Sequence, residues 1–485
     1  MQDKETIEIL LTYEEWQKFE CKRAAVQPAK LLETVVAFAN TEGGHIVLGL
    51  EDPSKAKNKK RLIGISENPD NVSEFLKLID KEIDSQLKSW TSFEVGITNT
   101  NNCEDKLVII DVKKSNDVHS LRKGDTFVRK GRQNVKIGST EIIRLKYEKG
   151  SIKFEEEISG ITTLEDIDQG LLGQYKKDTQ SEGEDDWQFL KDNGLAIKKE
   201  DGFRLTKAGV LLFANNPAIL LKNKCGIKVS HYHGTRPSFS DEPNFLTRPF
   251  TIEGPLINQI SEAVDYFKNV VKNSPPKLHG SSFKPSLLIP EWAFQEAITN
   301  AVIHRNYSIQ DDIQVRFFGD RVEVESPGTY PGHITINNIR SERYVRNPIV
   351  LRTLNRFQSA PNLDIGEGVD RMFEVMRNQN LYDPLFFPPA YRPNSVLLFL
   401  LNQQKIEYWD IVSNYLSEHY RIANSEARKI TGIGDTLQMS RLLKMWQEKG
   451  LLEKIDSGFK GNVFYRKPGV EIPAPIFKSS ENGGT

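Results

Sequence analysis

Three carboxylates and a lysine near the amino terminus have residue types suited to phosphodiester chemistry. Residues 15–22 read Glu-Trp-Gln-Lys-Phe-Glu-Cys-Lys. If 19–22 is extended, Phe19 and Cys21 face one side, and Glu20 and Lys22 face the other. Glu15 lies five residues before Glu20, and Asp52 stands at the end of the run HIVLGL, 45–50. Three carboxylates brought together repel and raise one another's pKa unless a cation neutralises them. A magnesium or manganese ion does this with hard oxygen ligands, and it also activates water against a phosphodiester. Lys22 would then stabilise charge developing on the phosphate. The plainer alternative has Glu15 and Glu20 solvated and Asp52 capping a turn before Pro53. Spacing alone leaves both open.

Basic residues cluster beside these acids. Lys55, Lys57, Lys59, Lys60 and Arg61 directly follow Asp52, and Arg122, Lys123, Arg129, Lys130 and Arg132 extend the track. Such a track suits a phosphate backbone, of RNA or of duplex DNA, and equally suits a solvated loop. Aromatic residues are sparse between these charges, which gives base stacking little support. The whole chain balances 65 basic against 66 acidic side chains, which excludes a uniformly basic nucleic-acid coat.

A second constellation lies mid-chain, in EWAFQEAITNAVIHRNY at 291–307. Glu296 and Asn300 are four apart, hence on one helical face, with His304 one turn further. Gly366 and Gly368 flank Glu367, and glycines let backbone N–H groups approach an anion. There is no GxxxxGK[ST] phosphate loop anywhere.

The elements that must position these residues read as α+β. Ala29–Asn40 is a helix, with Pro28 setting its first turn and Leu31, Leu32, Val35 and Val36 on its apolar face. It stops at the Asn-Thr-Glu-Gly-Gly turn, 40–44. Strands are expected at 45–50, 107–112 and 126–129, and a second helix at 71–87. The segment 186–214 suggests helix, hairpin and helix. Helices at 255–271 and 292–304 precede the strand pair IQVRFFG and RVEVES. Near the carboxy terminus come a helix at 408–418, a short one capped by Ser425, and a longer one opened by Asp435. Two β-like pieces at 451–455 and 463–466 follow. That is the winged-helix order, used both for reading DNA and for protein contacts.

A length of 485 residues suggests about three domains. The boundaries expected are 1–148 for the acidic and basic motifs, 149–188 as a linker, 189–403 for the middle domain, 404–470 for the winged helix, and 471–485 as a tail. No run approaches the ~18 apolar residues of a membrane helix, and MQDKETIEILL lacks the parts of an export signal. Cys21, Cys103 and Cys225 are scattered and form no metal motif. A cytoplasmic protein with reduced thiols is expected.

E-x4-E-x-K, then AFANTEGGHIVLGLED, then Leu-Ile-Gly-Ile resembles the Schlafen AlbA-type domain over roughly residues 8–145. The resemblance implies a metal-dependent nuclease site at Glu15, Glu20 and Asp52, acting on transfer-RNA-like RNA, or else a DNA-binding regulator. It also implies a homo-oligomer with a shared basic channel. Cys21 departs from the usual phenylalanine of that motif. The Glu296/Asn300 helix resembles the N-box of GHKL ATPases, which implies magnesium on Asn300 and water oriented by Glu296. With DRVEVESPG, VRNP and GEGVDRM, residues 190–400 resemble the RecG-related carboxy-terminal region. Ser326 stands where that class carries its adenine-reading aspartate, which implies either ATP binding without fast turnover or a degenerate, structural fold of that type. Three functions follow: a nucleotide-regulated endonuclease of defence or stress response, a transcriptional regulator, or an assembly scaffold.

Overall fold

The structure is a computed structural model that describes residues 6–7, 10–11, 15–239, 242–273, 277–279, 282–284, 287–361, 366–389, 391–419, 421–456 and 463–469. The expected tail, 471–485, lies outside the described residues. The chain divides into two compact units, one of Met1–Ser151 with Asp410–Thr485 and one of Ile152–Trp409.

In the first unit, β1 (Phe19–Lys22) runs parallel to β2 (Gly44–Leu48), with Glu20 beside Ile46 and Lys22 beside Leu48. With β3 (Trp90–Thr98) and β4 (Glu104–Val112) the sheet order is β1-β2-β4-β3. Alternation along the strands divides the core. Leu31, Leu32, Val35 and Val36 of α1 (Pro28–Asn40) bury against Ile46, Leu48, Val108 and Ile110. Phe19, Cys21, Val47, Leu107 and Ile109 form a second cluster on the other face. Gly43, at φ +78°, closes the turn between α1 and β2. A Cβ there would meet the Val112 carbonyl oxygen at 2.7 Å, so no other residue fits without a shift.

The second helix differs from expectation. α2 (Pro69–Glu82) begins earlier because the Asn68 side chain caps it, accepting from the Asn71 N–H. It ends before 87 because Ile83–Asp84 turns into a short strand. A hairpin, β5 (Thr126–Lys130) and β6 (Gln133–Ile137), precedes α3 (Ser139–Lys149).

The second unit begins inside the stretch read as a linker. Glu155 is fully buried there, and α4 (Gln169–Asp178) puts Leu172 and Tyr175 into the main core. Its apolar residues are few but spaced one turn apart, and a polar composition hides them. α5 (Asp186–Asp192), the hairpin β7 (Ala196–Lys199) and β8 (Gly202–Leu205), and α6 (Lys207–Phe213) follow in the expected order. The sheet comprises β9 (Ile227–Tyr232), β10 (Phe245–Ile252), β11 (Ile313–Phe317), β12 (Arg321–Pro327), β13 (Leu385–Phe386) and β14 (Ser395–Leu401). Its order is β10-β9-β11-β12-β14-β13, mostly antiparallel, with β9 and β11 parallel. Helices α7 (Leu256–Asn273) and α8 (Glu291–His304) pack on it. Phe294 of α8 stacks on Phe267 of α7, ring centroids 4.4 Å apart, and lies 5.8 Å from Phe317 of β11. This contact fixes the rotation of α8. Two further helices are α9 (Pro348–Asn355) and α10 (Gly368–Asn378).

The carboxy-terminal part of the first unit holds α11 (Trp409–Glu418), α12 (Asn424–Thr431) and α13 (Thr436–Glu448). A three-stranded antiparallel sheet accompanies them: β15 (Ile422–Ala423), β16 (Glu453–Asp456) and β17 (Val463–Arg466), in order β15-β17-β16. Asp435 caps α13 through the Leu437 N–H. Ser425 does not cap α12; it lies within the first turn, and Glu426 reaches back to accept from the Ala423 N–H at 2.7 Å. Cys21, Cys103 and Cys225 are free. No helix among the described residues is long and apolar enough to cross a membrane.

Candidate nucleic-acid and nucleotide sites

Strand β1 carries Glu20 and Lys22 on one face, and the turn before it brings in Glu15. The Lys22 ammonium bridges both acids, 2.6 Å from Glu15 Oε1 and 2.5 Å from Glu20 Oε1. Burial works against that charge, but Glu20 and Glu15 outweigh it and hold Lys22 above the usual lysine range. The second Glu20 oxygen, Oε2, accepts from Arg129 Nη2 at 2.6 Å. Asp52 bends onto its own loop, where Oδ1 accepts from the Ser54 N–H at 2.7 Å. Burial opposes its ionisation, yet Ser54 and the charges of Lys22 and Lys55 keep it below the usual carboxylate range.

Glu15 and Glu20 thus meet at the Lys22 ammonium, and Asp52 lies within reach of the same charge. Among the described residues, no group of three or more His, Cys, Asp or Glu is placed to hold a metal. The ammonium of Lys22 sits between the two glutamates instead. As arranged, these residues do not fit a divalent ion. Nor is Lys22 free for a phosphate, since its charge is shared between Glu15 and Glu20.

Two of the expected phosphate contacts are structural. Arg61 is buried, donating to the carbonyls of Glu51 and Leu11 at 2.8 and 2.9 Å and to Cys21 Sγ at 3.4 Å. Arg129 is buried as well, held by Glu20, Asn134 Oδ1 and the Trp16 carbonyl. Charge in a sequence says nothing of burial. Both guanidiniums prove to be the internal partners of polar groups that would otherwise be orphaned. Lys55, Lys59, Lys60, Arg122, Lys130 and Arg132 are exposed. Burial, opposed by Arg61, pushes the Cys21 thiol up to about 12, so it packs as a neutral group. Glu51, beside Asp52, was missed in the sequence; it lies 3.5 Å from Arg23.

The mid-chain candidates line one cleft of about 410 Å³ in the second unit, which includes Glu296, Asn300, His304, Ser326, Gly366 and Gly368. Helix α8 supplies the first three from one face. Asn300 Nδ2 donates to Glu296 Oε1 at 2.9 Å. Burial pushes the Glu296 carboxyl up, against Asn300 and the Arg371 charge. Across the cleft, α10 begins at Gly368, where a Cβ would lie 1.8 Å from Glu296 Oε1. Gly366, at φ +69°, lies so close to Arg343 that a Cβ would fall 2.1 Å from its guanidinium. The two glycines therefore let the Glu296 carboxyl and the Arg343 guanidinium approach the backbone, where any side chain would collide with them. Arg343, Arg371, Trp292 and Tyr330 also line the cleft and were not singled out in the sequence. Arg371 had a signal, standing three residues after Gly368 on the same helix face. The N-terminus of α10 and the Arg343 and Arg371 guanidiniums share this cleft, and groups of that kind favour an anion.

Residues 15–138 match the family model described as Schlafen, AlbA_2. Residues 310–393 match the model described as putative ATP-dependent DNA helicase recG C-terminal. That second match includes Ser326, Gly366 and Gly368 and begins after Glu296 and Asn300. No curated protein matches the chain. The crystal structure of the DIP2311 protein from Corynebacterium diphtheriae is similar, with 19% identity over 96% of each chain and a TM-score of 0.41. The chain thus carries an AlbA_2 domain over 15–138 and a domain like the RecG carboxy-terminal, GHKL-type kind over 310–393.

Proposed function

We propose that this protein binds nucleic acid through its AlbA_2 domain and that an adenine nucleotide in the second unit modulates that binding. The observation that carries the reading is the cleft, where Glu296, Asn300, Gly366 and Gly368 meet. Arg343, Arg371 and the first N–H groups of α10 would face the phosphates. Glu296 and Asn300 would hold the accompanying magnesium, which neutralises phosphate charge when bound. Glu296 accepts from Asn300 at 2.9 Å, so the two side chains would act as one holding pair. Binding without fast turnover suits a switch. Exposed Lys55, Lys59 and Lys60 supply the nucleic-acid contact, and the helix-and-wing module of 404–470, as a winged helix, supplies a second for duplex DNA. A homo-oligomer would align two such surfaces.

The test is titration of the full chain with ATP, followed by duplex DNA and transfer-RNA binding with and without ATP. Saturable ATP binding that shifts nucleic-acid affinity supports the reading. Absence of ATP binding refutes it.

A second reading, a magnesium- or manganese-dependent endonuclease acting on tRNA-like RNA in defence or stress response, rests on one observation. Glu15 and Glu20 meet at Lys22, and Asp52 lies within reach of the same charge. Lys22 fills the position between the glutamates, which a metal would have to take. Labelled RNA incubated with manganese decides it: cleavage lost in Glu20→Gln supports this reading, and intact RNA removes it.

A further inference from the structure

One edge of the six-stranded sheet carries aromatic rings and arginines that line no part of the cleft. Among the described residues β10 pairs only with β9, so its other side is open. Loop and strand repeat one pattern. Thr-Arg-Pro at 235–237 leads to Phe239, and Thr-Arg-Pro at 247–249 leads to Phe250. Phe239 is 95% exposed, and Phe245 and Phe250 are each 38% exposed. Arg236 and Arg248 are exposed as well, and among the described residues neither guanidinium has an ion-pair partner. β10 itself bears no acidic residue.

These rings are presented rather than loosely displayed. Phe245 rests on Tyr232 of β9, ring centroids 4.7 Å apart, and Tyr232 stacks on Phe318 at 4.8 Å. Phe250 meets Tyr266 of α7 in a T-shaped contact at 5.2 Å. Asn244 ties the loop together: its Nδ2 donates to the Arg236 carbonyl at 2.9 Å, and its Oδ1 accepts from the Ser238 N–H at 2.7 Å. Pro237 and Pro249 fix φ where they stand, so a ligand has less backbone to order.

A further β-strand suits this edge poorly. Pro249 has no N–H to offer, Arg248 adds a charge, and the register against β9 shifts on both sides of His231. Proline, charge and irregular register are features that keep an edge from pairing. An apolar protein face would cover the rings but leave two guanidiniums desolvated without a counter-charge. A polyanion that also carries flat rings satisfies both groups. Its phosphates meet the arginines, and its unpaired bases stack on the phenylalanines. Duplex bases are already stacked on one another and offer this edge only phosphate.

We propose that the β9–β10 hairpin is a binding surface for single-stranded nucleic acid, with Phe239, Phe245 and Phe250 as stacking platforms and Arg236 and Arg248 as phosphate contacts. It uses no residue of the basic track or of the nucleotide cleft, and it does not depend on ATP binding.

Fluorescence anisotropy on the full chain tests this, with a thymidine strand of about 20 nucleotides, an abasic strand of equal length, and a duplex. The abasic strand keeps the phosphates and has no ring to stack. Wild type should bind the thymidine strand about tenfold or more tighter than the abasic one. Phe239→Ala removes an almost wholly exposed ring, so the fold is undisturbed. It should weaken the thymidine strand about fivefold or more and leave the abasic strand and duplex unchanged. Phe245→Leu, which keeps an apolar side chain on Tyr232, should act likewise. Arg236→Gln with Arg248→Gln should weaken both single strands alike and reduce the slope of log K against log salt by about 1.4. Equal affinities of wild type for the thymidine and abasic strands overturn the proposal, as does thymidine binding unchanged in both phenylalanine variants. Polyglutamate that displaces the thymidine strand better than the abasic strand does would make this a site for an acidic peptide, which also overturns it. Duplex binding without thymidine-strand binding overturns this proposal and leaves the AlbA_2 reading standing. A chain that binds no nucleic acid removes both.

Discussion

Glu155 offers a prediction whose size follows from the structure. Its side chain is fully buried, and its two oxygens accept from the Ile349 and Val350 N–H groups, each at 2.9 Å, at the start of α9. Burial pushes the carboxyl from its ordinary 4.5 up to about 7, although those two bonds and Lys153 favour the ionised form. A folded value above the unfolded one means that the folded state prefers the proton. The stabilisation is therefore fully present below about pH 4.5 and lost as pH rises through about 7. At about 1.36 kcal/mol per pH unit, the difference between pH 5 and pH 8 is about 2–3 kcal/mol. Glu155→Gln cannot titrate and has one acceptor for two donors, so it starts less stable at pH 5 by about 1–3 kcal/mol. The gap should close or reverse by pH 8. The assay is amide hydrogen exchange across α9 in both proteins, corrected for intrinsic rates, because a two-unit chain does not melt in one step. An equal gap at pH 5 and pH 8 would refute the reasoning.

Gly368→Ala should abolish ATP binding, since its Cβ would fall on Glu296 Oε1. The overpacking costs about 1–3 kcal/mol in thermal melts, and calorimetry reads the binding. Arg129→Ala leaves Glu20 without its Oε2 partner and should destabilise the first unit by about 3 kcal/mol, measured by urea unfolding; a change under about 1 kcal/mol would mean that water replaces the guanidinium. Lys59→Ala with Lys60→Ala should lower nucleic-acid affinity and reduce the slope of log K against log salt by about 2, whereas an unchanged slope moves the contact elsewhere.

Periodicity made much of the scaffold legible, because it encodes which face is buried. The alternation in Phe19–Lys22 separated core residues from the polar pair, and four-residue spacing put Glu296 and Asn300 on one side of α8. Partnership was not legible. Arg61 and Arg129 look like the lysines around them, and only the packed chain shows that they fill interior hydrogen-bonding roles. Asn68 and Glu426 set helix starts through side-chain bonds that spacing leaves ambiguous between neighbours. Glu155 lay in a stretch that composition marked as a linker, and its partners are nearly 200 residues away, at 349 and 350. No local pattern carries that information.

The charge balance at Lys22 separates the two functional readings. Glu15, Glu20 and Asp52 face Lys22 and Arg129, which leaves one net negative charge among these five side chains. A phosphate brought to that point meets repulsion, with both local cations already paired. A backbone held by Lys55, Lys59 and Lys60 at the exposed rim avoids this, so binding alone needs no rearrangement. Cleavage does need one, since a divalent ion must displace Lys22 before the cluster can attract phosphate. The readings therefore predict opposite metal effects. Binding at the rim should weaken as magnesium is added, by competition for phosphate. Loading at the acids should strengthen RNA affinity, and Lys22→Ala, which vacates the position, should increase that gain.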